Sequence, residues 1–104
     1  MNYTSPEQVK QQIQSQSAII LDIREEYEYE ICSISSIKIP MADVDGRVNE
    51  LPSDKNIVVM CRSGKRAEAL ANMLITEHDM NNVSVMEGGI LSWIEKVEPH
   101  LEAY

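Results

Sequence analysis

The sequence predicts an α/β fold, a three-layer sandwich in which a mainly parallel central sheet is flanked by helices. Short apolar runs rich in β-branched residues, Ala18–Ile23, Ile57–Met60 and Val83–Met86, have the character of strands buried on both faces. Between and after them come stretches with helical periodicity, clearest in Ala67, Leu70, Ala71, Leu74 and Ile75, which follow the i, i+3, i+4, i+7, i+8 pattern. The connections between these segments are short, so strand and helix alternate along the chain.

Taken in order, Ser5-Pro6-Glu7-Gln8 marks a helix start. Ser stands at the cap, Pro at the first helical position and Gln three residues after the cap, and the helix is expected to run to about Gln14. Ala18–Ile23 is the first interior strand, turning polar at Asp22 and Arg24. Glu25–Ile31 interleaves four glutamates with Tyr27 and Tyr29 and suits a short helix. With no histidine or aspartate cluster beside them, these glutamates read as a solvated face. Ile37-Lys38-Ile39 is a brief strand stopped by Pro40, and Ala42–Leu51 is loosely helical despite Gly46. Ile57–Met60 is the central strand, the helical stripe begins at Ala67, and Val83–Met86 is the last strand. Glu87-Gly88-Gly89 makes a tight connection into a final helix, Ile90–Val97, which carries Trp93 and stops before Pro99.

With 104 residues, 43% hydrophobic and 25% charged, the chain has the composition of one ordinary globular domain. The net charge of −8 argues against nucleic acid and against anionic membrane surfaces as partners. Two cysteines, Cys32 and Cys61, are too few for a disulfide scaffold and lack CxxC spacing, and with two histidines no metal motif emerges. The first seventeen residues have no apolar core of a leader, and no run reaches the length of a membrane span, so a cytoplasmic location is the expectation.

The chemistry concentrates in Cys61-Arg62-Ser63-Gly64-Lys65-Arg66, which links the central strand to the helical stripe. A helix start leaves backbone N–H groups without intrahelical partners and carries the positive end of the helix dipole. Gly64 lets the backbone curl, and Arg62, Lys65 and Arg66 bring three of the chain's nine cations next to the cysteine. A thiol in such a cradle loses its proton easily, which makes Cys61 the candidate nucleophile. The remainder of the loop becomes the candidate substrate-binding set, for a small anionic substrate on an otherwise acidic body. A P-loop reading fails, because the upstream Gly and the Ser or Thr after Lys are missing.

These stretches together resemble the rhodanese-like domains. The resemblance rests on Leu21-Asp22-Ile23-Arg24-Glu25, Lys38-Ile39-Pro40, the Cys61–Arg66 loop, and Glu87-Gly88-Gly89 with Trp93. It covers nearly the whole chain, residues 1–104 reading as a single domain. It implies sulfur transfer through a persulfide on Cys61, without a metal or organic cofactor. The loop amides would bind the transferred sulfur, and the loop cations would attract an anionic donor such as thiosulfate. Asp22 and Arg24 would be structural or site-rim residues. Where many relatives have His followed shortly by Gly, this chain has Ser33 and then Ser35-Ser36. Cys32 stands where cysteine looks similar to that in rhodanese domains attached to sulfur-carrier activating enzymes, which hints at a protein sulfur donor or acceptor. Its Ile-Cys-Ser-Ile setting by itself reads as a small half-buried hydrophobe.

Related phosphatases need Cys-x5-Arg, whereas here Arg66 is the fifth residue after Cys61 and Ala67 the sixth. The shorter loop should make a smaller cradle, suited to one sulfur more than to a phosphoryl group, and no general acid for an alcohol leaving group is evident. The expectation is therefore a sulfurtransferase. A sulfur-carrying interaction module is the alternative, and a phosphatase-like or catalytically idle module is less favoured.

Overall fold

The structure is a computed structural model that describes residues 1–104. Its core is a five-stranded parallel sheet in the order β1-β5-β4-β2-β3. The strands are β1 (Tyr3–Thr4), β2 (Ala18–Asp22), β3 (Ile37–Lys38), β4 (Asn56–Met60) and β5 (Val83–Met86). The helices are α1 (Pro6–Gln14), α2 (Glu26–Ile31), α3 (Met41–Val44), α4 (Lys65–Glu77) and α5 (Gly89–Lys96), with a 3-10 segment at Asp45–Glu50 after α3. The expected fold class holds.

The period-2 geometry of a strand sends alternate side chains to opposite faces, and β4 does this without a polar interruption after Asn56. Ile57 and Val59 enter a core shared with Leu70, Ala71 and Leu74 of α4. Val58 and Met60 enter a second core shared with Val9 of α1 and with Ile90, Trp93 and Ile94 of α5. Two helical layers on one sheet follow from that division. β4 lies between β2 and β5, pairing Leu21 with Val59 and Val85 with Val59 on its two sides. Because every strand runs the same way, the carboxyl ends of β2, β4 and β5 reach one edge of the molecule.

Beyond end shifts of one residue, three features differ from the sequence expectations. β1 is two residues long, paired with Val85 and Met86, and too short for any periodic signal. The loosely helical 42–51 region is split at Arg47, whose φ of −129° is not helical. Helix α4 begins at Lys65, two residues before its apolar stripe, because Lys65 and Arg66 are charged and only Ala67 starts the buried face. No helix is long and apolar enough to cross a membrane.

Helix α1 starts as its sequence requires. The Ser5 Oγ accepts from Gln8 N at 3.3 Å while Ser5 N donates to Gln8 Oε1 at 3.1 Å, a reciprocal capping box. We expect Ser5→Ala to lower unfolding stability by about 1 kcal/mol in urea titration. No change in midpoint would show that the box adds nothing to the Pro6 start.

Candidate active site

Cys61 is the first residue after β4, and Gly64 is the cap of α4. Gly64 has φ +109°, a conformation open to glycine, and offers no side chain to the first turn. A helix cap usually supplies an oxygen to the N–H of the third helical residue. Here sulfur takes that place: Cys61 Sγ accepts from Ala67 N at 3.4 Å and from Gly64 N at 3.0 Å. The cysteine is 1% exposed, at the floor of the loop. Two backbone N–H groups and a helix start thus converge on one sulfur, an arrangement that favours negative charge there.

The glycine pair at the next strand end supports this loop from beneath. The α5 N–H groups of Ile90 and Leu91 donate to the carbonyls of Cys61 and Arg62, at 2.9 and 3.3 Å. Gly89 has φ +64°, and a Cβ there would run into those two carbonyl oxygens. Gly88-Gly89 therefore lets the start of α5 come up against the backbone of the cysteine loop.

The loop cations do not act as a group. Arg66 gives a bidentate ion pair to Glu28, with Nη1 to Oε1 at 2.8 Å and Nη2 to Oε2 at 3.0 Å. This raises the Arg66 pKa, first through those hydrogen bonds. Glu28 is 2% exposed, which corrects the expected solvated face of α2: Glu25, Glu26 and Glu30 are exposed, but Glu28 points inward. The helical period turns it away from its neighbours, and only tertiary structure supplies its partner. Burial opposes its ionisation, yet the hydrogen bonds from Arg66 and Glu25 N and the nearby Arg24 charge outweigh burial and lower its pKa. The Arg62 guanidinium lies 5.1 Å over the Tyr104 ring, within cation–π range. Lys65 is exposed and forms no ion pair, and Ser63 is exposed beside it. A groove of about 440 Å³ lined by Tyr3, Ser63, Gly64, Glu68, Glu87 and Gly88 borders the outer side of the loop, and Cys61 is not part of its lining.

Asp22 and Arg24 are both fully buried and form an ion pair of 2.8 Å. The Arg24 guanidinium also donates to the main-chain oxygens of Glu28, Cys32 and Tyr104, at 3.4, 2.8 and 2.8 Å. It ties the end of β2 to α2 and to the residues after α5. Cys32 is 6% exposed in the second core, and burial pushes its thiol pKa up. Glu28 is the residue of this region that the sequence reading missed. Its only local trace is its i+3 position from Glu25, whose N–H it accepts at 2.9 Å.

A parallel α/β sheet with a cysteine cradled between its central strand and the next helix defines a class of cysteine-loop domains. Residues 5–96 match the family model of the rhodanese-like domain. YrkF of Bacillus subtilis, named as a sulfur carrier protein, is 34% identical over 96 residues, covering 90% of this chain and 51% of its own. The crystal structure of a rhodanese-related protein from Thermoplasma volcanium superposes with a TM-score of 0.83 at 31% identity, covering 95% of this chain and 96% of that one. A thiosulfate sulfurtransferase from Pseudomonas aeruginosa superposes with a TM-score of 0.82 at 26% identity, covering 91% of this chain and 19% of that one. The chain belongs to the rhodanese-like domain family. It spans about half the length of YrkF and less of the other relatives named by sequence.

Three substitutions test the framework. Gly89→Ala should cost about 1–3 kcal/mol, because it adds both positive-φ strain and a clash with two carbonyls. Gly46→Ala, with nothing within 4 Å of the added carbon, should be neutral or stabilising by less than about 1 kcal/mol. Equal effects in urea unfolding would remove the supporting role of Gly89. Arg24→Ala leaves Asp22 as a buried unpaired charge and should lose about 3–5 kcal/mol; a loss under about 1 kcal/mol would mean that the pair is not a structural clamp.

Proposed function

We propose that this chain is a sulfurtransferase that carries sulfane sulfur on Cys61. The observation that carries the reading is the convergence of Gly64 N–H and Ala67 N–H on Cys61 Sγ at a helix start whose cap residue, Gly64, offers no side chain. The Cys61 thiolate attacks the outer sulfur of thiosulfate or a similar donor. A new sulfur–sulfur bond forms, the old one breaks, and its electron pair leaves with sulfite. The persulfide that remains carries its negative charge on the terminal sulfur, and the loop amides are the groups placed to meet it. A nucleophilic acceptor such as cyanide or a thiol then takes the outer sulfur and returns Cys61 to thiolate. Ser63, Gly64 and the exposed Arg62 and Lys65 form the rim that an anionic donor meets, and Arg66 supports the loop from its pair with Glu28.

The names of the Pseudomonas structure and of YrkF support thiosulfate as one donor and a protein as a partner in a sulfur relay. The partner reading is the alternative role for the same site: a carrier that takes sulfur from one protein and hands it to another. A phosphatase reading lacks support, because the arginine at the end of the loop is turned to a carboxylate.

Intact mass spectrometry after thiosulfate treatment tests the proposal. The protein should gain the mass of one sulfur atom, and cyanide should remove it. Cys61→Ser should not load, since a hydroxyl stays un-ionised and is a far weaker nucleophile, whereas Cys32→Ser should load fully. Loading through Cys32 would move the site. No loading together with hydrolysis of an aryl phosphate would overturn the sulfur assignment.

A further inference from the structure

Among the glutamates of α2, Glu28 alone is buried, and both its carboxylate oxygens face Arg66 in the first turn of α4. Arg66 immediately precedes Ala67, whose N–H donates to Cys61 Sγ at 3.4 Å, so its charge belongs to the same turn that faces the sulfur. A cation placed there would be expected to add to the field that draws a donor anion. The bidentate pair cancels most of it, so the cradle presents Arg62, Lys65 and two N–H groups, with the third cation neutralised. The pairing therefore decides how much positive charge an incoming donor meets.

We infer that Glu28 is a specificity-determining residue: by neutralising Arg66 it limits the preference of the cradle for doubly charged over singly charged sulfane donors. This rests on the sulfur-transfer reading above. Coulomb attraction scales with the product of the charges, so one added positive charge favours a dianion about twice as strongly, in free energy, as a monoanion at the same place. Thiosulfate is a dianion and benzenethiosulfonate a monoanion. In both, the Cys61 sulfur forms a bond to the terminal sulfur, and the electron pair of the broken sulfur–sulfur bond leaves, with sulfite in one case and benzenesulfinate in the other. The covalent step is the same, and the persulfide product is identical. Glu28 touches neither donor; it acts through Arg66.

The test compares kcat/KM for the two donors, with cyanide as acceptor, in wild type and in Glu28→Gln at low ionic strength. The ratio of thiosulfate to benzenethiosulfonate should rise about threefold to tenfold in Glu28→Gln. It should fall back toward the wild-type ratio in about 0.5 M salt. Glu28→Gln/Arg66→Gln, in which the pair is again neutral, should keep the wild-type ratio to within about twofold. A merely structural role would slow both donors alike and leave the ratio unchanged, which overturns the inference. If Glu28→Gln does not fold, the double variant still decides: a ratio shifted by more than about threefold would show that the pair is not neutral toward the donor. If wild type takes no sulfur from either donor, the sulfur-transfer reading fails and the charge role is read separately. Alkylation of Cys61 by anionic iodoacetate relative to neutral iodoacetamide should then be faster in Glu28→Gln by a similar factor, and an unchanged alkylation ratio would overturn it.

Discussion

Two backbone N–H groups aimed at one buried sulfur are the constraint on which the rest of the structure depends. Gly64 N and Ala67 N point at Cys61 Sγ only if β4 ends at Met60, the chain turns through a positive φ at Gly64, and α4 starts at Lys65. A side-chain cap at position 64 would compete with the sulfur for the N–H of the third helical residue. Glycine removes that competitor and permits the turn. Ala67 N lies within α4 and Gly64 N at its cap, so main chain rather than mobile side chains surrounds the sulfur.

A cradle made of backbone needs support from outside, and it receives two kinds. Apolar support comes from the double core, in which alternate residues of β4 lock the strand between the α4 layer and the α1–α5 layer. Polar support comes from buried charge. Asp22 with Arg24 and Glu28 with the half-buried Arg66 join the ends of β2, α2 and α4, and Asp22, Arg24 and Glu28 would each be costly alone in the interior. Arg24 also satisfies carbonyls of α2 and of the last residues, so the clamp leaves no buried polar side-chain atom without a partner.

Gly88-Gly89 shows how a short sequence feature gains meaning from the fold. In the chain it reads as a tight connection between strand and helix. In the structure its bare backbone lets the N–H groups of α5 reach the carbonyls of Cys61 and Arg62. The loop is thus gripped from the start of α4 above and from the start of α5 below, two helices that belong to opposite layers of the sandwich.

The sequence by itself determined the fold class, most element positions and the cysteine that sits at the strand-to-helix turn. These are set by local periodicity: β-branched runs make strands, the stripe from Ala67 makes a helix, and glycine after the cysteine opens the turn. It could not show that Lys65 and Arg66 are already helical, since polar first turns carry no apolar repeat. Nor could it separate Glu28 from Glu25, Glu26 and Glu30, four identical side chains in one acidic stretch. Only the tertiary structure decided which of them faces inward and that Arg66 meets it. Those two residues are 38 positions apart, and the pairing arises because parallel strands bring α2 and the start of α4 to the same edge of the sheet.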